Sequence, residues 1–310
     1  MRAVRALALP AAAGGTALAL ATGARLADAS PLGPLCGPAG SAWTLDAWVT
    51  VPLAVSLALY ATGALRLRAR AGRGREHLGR RVAAFGLGWL ALAGALVSPL
   101  HRWGEGLFTA HMIEHEIVMA VAAPLLVLAR PWPVLLWALP RAGRRPTARA
   151  VRARLPRAAW AVLTQPAVAS LLHAVAIWAW HAPALFDAAV LNLALHRAQH
   201  LAFLVTALLF WWSLVRRDRP GAATGTLALT MLHTSLLGAL LALSPRLLYP
   251  GQTAGAGAWG LSPLEDQQLA GLVMWIPAGT IYAAAALAFA AHWIRRSGAT
   301  WKGSDAVTQV

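Results

Sequence analysis

The sequence predicts an all-α integral membrane protein: a bundle of seven transmembrane helices, with the mature N-terminus outside and the C-terminus cytoplasmic. A signal peptide or an extra N-terminal helix precedes it. Two observations carry this. The chain is 58% hydrophobic and only 12% charged, too apolar and too poor in charge for an ordinary soluble domain. Its basic residues fall in blocks between long uncharged runs, each near the roughly 20 residues that cross a hydrocarbon core.

At the start, Arg2 and Arg5 precede an apolar core over residues 6–21, and Ala27-Asp28-Ala29 offers a small-x-small cleavage site before Ser30. The pattern favours a cleaved signal over residues 1–29, with an uncleaved membrane helix as the alternative. Residues 30–47 form an outer segment. Its Cys36 is the chain's one cysteine. That excludes an intrachain disulfide and a CxxC motif, and LGPLC lacks the small residue a lipoprotein signal needs before its cysteine.

The transmembrane domain is expected over residues 48–294, with spans near 48–65, 82–97, 109–129, 160–181, 194–215, 226–243 and 269–294. Linker 66–81 holds seven arginines and linker 130–157 eight. Arg216, Arg217 and Arg219 follow the fifth span. Arg295, Arg296 and Lys302 begin the tail, 295–310. The alternate loops hold only Arg102, Arg197 and Arg246. The positive-inside rule assigns the arginine-rich side to the cytoplasm. This topology accounts for the formal net charge of +16 without nucleic acid as a partner. Acidic residues collect on the other side: Asp46, Glu105, Glu114, Glu116, Asp187, Glu265 and Asp266. Trp43, Trp48, Trp103, Trp178 and Trp180 suit an interfacial belt, and Trp132 and Trp137 mark a short stretch on the inner surface.

Topology turns sequence position into depth. The pair His111/His115 lies at the outer end of the third span, and His196/His200 at the outer end of the fifth. Residues four apart share one helix face. His181 reaches the same level at the end of the fourth span, and His101 sits in the outer loop before the third. Ionisable groups within a bilayer are costly and mark functional sites, and neutral imidazole is the commonest metal ligand. Met119 continues the face of His111 and His115 one turn deeper. Nitrogen donors with a possible thioether suit copper, cuprous copper in particular. Glu114, Glu116, Asp187 and Asp266 are expected to support the imidazoles as hydrogen-bond partners. His173 and His233, nearer mid-depth, read as cross-helix hydrogen-bonding residues. His77 and His292 read as solvated or interfacial.

Three segments resemble the CtaG-type, multi-span family of cytochrome c oxidase assembly factors, which is distinct from the single-span copper chaperone that sometimes shares the name. They are SPLHRWGEGLFTAHMIEHEIVMAVAAPLLVLARP, WHAPALFDAAVLNLALHRAQHLAFLVTALLFWW and LLYPGQTAGAGAWGLSPLEDQQLAGLVMWIPAG. The similarity covers most of residues 80–295. The positions that match are His101, His111/His115, His181 with Pro183, His196/His200, and Asp266-Gln267-Gln268. The resemblance implies a bacterial plasma-membrane, multi-pass protein that helps build a haem–copper oxidase at the copper-insertion stage. Its expected partners are the oxidase subunits and other copper chaperones. It does not itself assign copper ligands.

Two rival readings stay open. Histidines from two facing helices can ligate haem, making the chain an electron-transfer protein. A copper transporter would need polar residues continuing to the inner face, and His173 and His233 give a faint trail. The sequence has no phosphate loop and no GxSxG elbow, and the expected role is not enzymatic.

Overall fold

The structure, a computed structural model, describes residues 43–70, 75–216 and 219–307, with the backbone alone described for 75 and 298–307. The expected signal segment 1–29, and residues 30–42 with Cys36, lie outside the described residues.

The described residues are helical, without a strand. In chain order they form α1 (Ala47–Arg68), α2 (Arg75–Val97), α3 (Pro99–Gly104), α4 (Phe108–Leu128), α5 (Pro131–Ala138), α6 (Arg141–Arg152), α7 (Arg154–Leu163), α8 (Pro166–Trp180), α9 (Pro183–Leu191), α10 (Leu193–Arg216), α11 (Pro220–Ala242) and α12 (Pro263–Val307). Among the described residues, α1, α2, α4, α10, α11 and α12 are long and apolar enough to cross a membrane. They correspond to six of the seven expected spans.

The fourth expected span, 160–181, is not one straight helix. It is the pair α7 and α8, bent by 67° at Thr164-Gln165. Proline explains the break. Pro166 has no N–H to donate, and its ring drives Gln165 into extended backbone (φ −65°, ψ 130°). The 15 residues of α8 rise only about 22 Å, short of a hydrocarbon core of about 30 Å. The described residues thus hold six apolar helices of spanning length, or seven where the bent pair α7 and α8 is counted as one span.

Hydrogen bonds fix which helix ends lie together. At one end, the Asp46 carboxylate that caps α1 pairs with Arg197 near the start of α10 at 2.8 Å. The backbone N–H of Thr44 donates to Val97 at the end of α2 (2.9 Å). Asp266 near the start of α12 accepts from Phe108 at the start of α4. At the other end, the Tyr60 hydroxyl on α1 donates to the carbonyls of Arg81 on α2 and Ala129 beyond α4. The helices therefore alternate in direction, as the arginine-rich loops require.

Close helix approach rests on glycine. A Cβ on Gly63 of α1 would lie 2.0 Å from the Val134 carbonyl oxygen of α5. So α5 packs against α1, and Val134 is fully buried. Gly238 of α11 and Gly271 of α12 face one another, and a Cβ on Gly271 would lie 2.4 Å from the Ala242 nitrogen. Without a hydrophobic force between helices in lipid, such small-residue contacts hold a bundle together. The largest buried apolar cluster joins α4, α8, α10, α11 and α12 around Phe203, Phe210, Trp211 and Tyr282. It forms the floor beneath the histidines.

Candidate metal centre

All six histidines expected at the outer level meet in one cluster. His111 and His115 on α4 have ring centroids 4.2 Å apart. His196 and His200 on α10 are 4.6 Å apart. The two pairs face each other across the helix interface, with His115 4.9 Å from His200 and His111 5.5 Å from His196. His101 on α3 sits over the α10 pair, 5.6 Å from His196 and 5.8 Å from His200. His181, which closes α8, lies 6.4 Å from His115. Phe186 and Phe203 pack against His111 and His115 at 5.4 and 4.6 Å, so the lower wall is apolar.

Two groups of three imidazoles have donor nitrogens within 4.8 Å of one another: His101, His196 and His200, and His111, His115 and His200. A three-coordinate ion with bonds of about 2 Å sets its donors about 3.5 Å apart. Small side-chain rotations close that difference.

The polar bookkeeping of this cluster is incomplete within the protein. His111 Nε2, both ring nitrogens of His115, His181 Nε2 and His200 Nδ1 are buried without a hydrogen-bond partner. Buried polar atoms are nearly always paired, and each one left unpaired costs about 1–3 kcal/mol. A neighbouring contact orients one of these atoms. His181 Nδ1 donates to the Ile177 carbonyl at 2.6 Å, which leaves the Nε2 lone pair free. A ring with one nitrogen tied to a carbonyl or carboxylate and the other bare is the arrangement of a metal ligand.

Glu114 is the carboxylate at the centre. Its Oε1 is 2.7 Å from His101 Nδ1 and 3.7 Å from His200 Nδ1, and its side chain is fully buried. Burial works against a charged His101. The Glu114 hydrogen bond and the charges of Glu114, Glu105 and Asp46 outweigh that and raise its pKa above the usual histidine value.

The other expected supporting residues are placed differently. Asp266 touches no imidazole. It accepts from the backbone N–H groups of Phe108 (2.7 Å) and Thr109 (2.9 Å) and from the Thr109 hydroxyl (2.7 Å). It thus caps α4 from a neighbouring helix, because Leu107 at the N-cap position has no side chain able to do so. Asp187 Oδ1 has no hydrogen-bond partner and faces Gly251; burial raises its pKa. Glu116 is buried with Oε2 unpaired. Met119 lies in the apolar cluster. Residues Ile117–Ala122 form a π-helical turn between His115 and the rest of α4, so the face of the histidine pair does not run on to Met119 with α-helical spacing. The Met119 carbonyl within this turn accepts from Trp211 Nε1 at 2.9 Å. Such turns recur at functional sites.

Sequence reasoning missed the lid. Residues 249–256 fold onto the cluster, with Gln252 and Thr253 buried. Gln252 Nε2 donates to the Gly104 carbonyl, the Tyr249 hydroxyl to the His181 carbonyl, and the Gly255 N–H to the Gly106 carbonyl. No periodicity marks this stretch. The one legible signal is polar residues inside an otherwise apolar half. His173 and His233 behave as expected: His173 pairs with Thr206 on α10 at 3.1 Å, and Trp178 donates to His233 at 3.4 Å. His77 and His292 are exposed.

Uncharacterized proteins of Mycobacterium bovis and Mycobacterium tuberculosis are each 28% identical over 254 residues, covering 75% of this chain and 36% of their own length. One from Mycobacterium leprae is 27% identical over 269 residues, covering 82% and 40%. The chain thus spans about two fifths or less of the curated relatives it matches. No solved structure matches it. The family model described as cytochrome c oxidase caa3 assembly factor matches residues 58–296, a range that takes in α4, α8, α10 and every histidine of the cluster. By that match the chain belongs to the caa3-type cytochrome c oxidase assembly factor family.

Proposed function

We propose that this chain holds copper in the buried histidine cluster and passes it to a haem–copper oxidase during assembly, without catalysing a reaction of its own. The observation that carries the reading is the set of buried, unpartnered imidazole nitrogens converging from three helices. An all-imidazole set without thiolate suits copper better than a structural zinc site, and oxygen cages for magnesium or calcium are absent from the two groups described. One buried carboxylate, Glu114, beside otherwise neutral rings balances a singly charged cuprous ion. Transfer to a partner needs a site near a surface. His101 retains 15% side-chain exposure and supplies that edge. The family's role in oxidase assembly supports an oxidase subunit as the recipient. The proposed frame is a seven-crossing protein of the bacterial plasma membrane with the histidine end outside.

Haem fits less well. The rings pack against one another and against Phe186 and Phe203, an enclosure suited to a point ligand. Transport fits less well too, because the floor below His115 is the apolar cluster of Phe203, Phe210 and Trp211.

The test is copper content and visible spectra of the purified chain, with oxidase assembly measured in cells that depend on it. His111→Ala/His115→Ala is expected to lose its tightly held copper and leave the oxidase without its copper centre. Full copper content with normal assembly in that variant would overturn the reading, and a Soret band lost in the same variant would replace copper with haem. Imidazole ligates only when neutral, so copper affinity is expected to fall once the pH is low enough to protonate the site's rings.

A further inference from the structure

The cluster holds two three-histidine groups, and they share a residue. His200 belongs both to the group with His101 and His196 and to the group with His111 and His115. The groups differ in depth. His101 and His196 are partly exposed, whereas His111 and His115 are each 1% exposed. His200 stands between them. Its Nε2 is 3.1 Å from His196 Nε2, its Nδ1 is 3.7 Å from Glu114, and its ring is 4.9 Å from that of His115. Glu114 contacts His101 and reaches toward His200, so it serves both groups.

From this we infer that the histidines form two overlapping cuprous sites, occupied in turn by one ion, with His200 staying bound while the other two ligands exchange. The inference rests on the copper reading above. Its physical basis is the shared ligand. Two ions, each needing His200, would be held only a few ångströms apart in a low-dielectric interior, where like charges repel strongly, and one buried carboxylate cannot balance both. A single ion faces no such cost. It enters where His101 and His196 meet the surface. It then exchanges those ligands for His111 and His115 without ever being released from protein nitrogen. The inner group retains the ion and the outer group exchanges it with a donor or an acceptor. Each ligand substitution replaces one neutral imidazole with another, so no change in oxidation state is involved.

The experiment uses the full chain purified in detergent, cuprous ion alone, and a competing colorimetric chelator that reports equilibrium affinity and loading rate. The wild type is expected to take up one ion per chain. His196→Ala is expected to keep the tight equilibrium affinity but load and unload slower, by on the order of tenfold. His115→Ala is expected to retain one ion that the chelator strips rapidly. His200→Ala is expected to lose both behaviours, and His200→Gln, with helicity checked by circular dichroism, separates ligand loss from misfolding. Two tightly held ions per wild-type chain would overturn the shared-ligand route and leave the copper reading standing, as would wild-type loading kinetics in His196→Ala. No copper in the wild type would overturn both.

Discussion

The two ends of the bundle handle buried and interfacial polarity in opposite ways. At the arginine end the chain satisfies itself. Arg66 donates to the carbonyls of Trp137, Ala138 and Leu139, at 3.3, 2.6 and 3.2 Å. Arg144 donates to those of Leu139 and Trp137. These are the free carbonyls at the end of α5, where cations are favoured. Arg70 and Arg144 also lie over the Trp137 ring at 5.1 and 4.4 Å. At the histidine end five buried ring nitrogens have no such partners: His111 Nε2, both of His115, His181 Nε2 and His200 Nδ1. Charge density alone would have singled out the arginines as the functional end. Partner satisfaction singles out the histidines. A polar group that the fold already pairs is structure, whereas one buried and left unpaired is a cost that only a ligand recovers.

That contrast is broken most forcefully at Gly63. Its missing Cβ lets α1 touch the Val134 carbonyl directly. Gly63→Val is expected to destabilise the arginine end by about 3 kcal/mol through overpacking, read as a lower thermal midpoint in detergent. Copper per folded chain should not change, because the histidines hang from other contacts. Loss of copper in the folded fraction would mean that the two ends are coupled.

The second test has the opposite sign. His115 carries two unpartnered ring nitrogens between His111, His200 and Phe203. His115→Leu removes that cost at similar volume. The metal-free protein is expected to gain about 2 kcal/mol of stability and to hold copper only in the outer group, where a chelator strips it rapidly. A variant less stable than the metal-free wild type would show that His115 is a structural hydrogen-bonding residue.

Much of this was legible in the sequence, and for physical reasons. Long apolar runs are forced by the thickness of the bilayer, so six expected spans coincide with long apolar helices, although three of those helices begin six or seven residues earlier than expected. Histidine depth followed from the alternation of the arginine loops, which brought residues as distant as His101 and His200 to one level. The break at Gln165-Pro166 was masked because hydropathy does not change across it; only the proline hinted at it. Met119 was misplaced in register because a π turn adds a residue that no 3.6-residue pattern reveals. The lid at 249–256 was hidden because its bonds are made through backbone carbonyls of Gly104, Gly106 and His181, which sequence does not distinguish.

Asp266 gives the smallest and sharpest test. Its position before the seventh span made it a candidate partner for a ligating imidazole. In the fold, both of its oxygens are taken by the start of α4, the helix that carries His111 and His115. These two roles predict different outcomes for Asp266→Asn. A carboxylate bonded to a ligating ring would, when replaced, lower copper affinity by about 10–100-fold. A cap keeps one acceptor as asparagine and loses only the strength of a charged hydrogen bond. The expected outcome is therefore a stability loss of about 1 kcal/mol, with copper affinity close to wild type. Thermal midpoints and chelator competition on the same sample decide between the roles. If affinity collapsed while the midpoint held, the Asp266 carboxylate would belong to the metal centre after all.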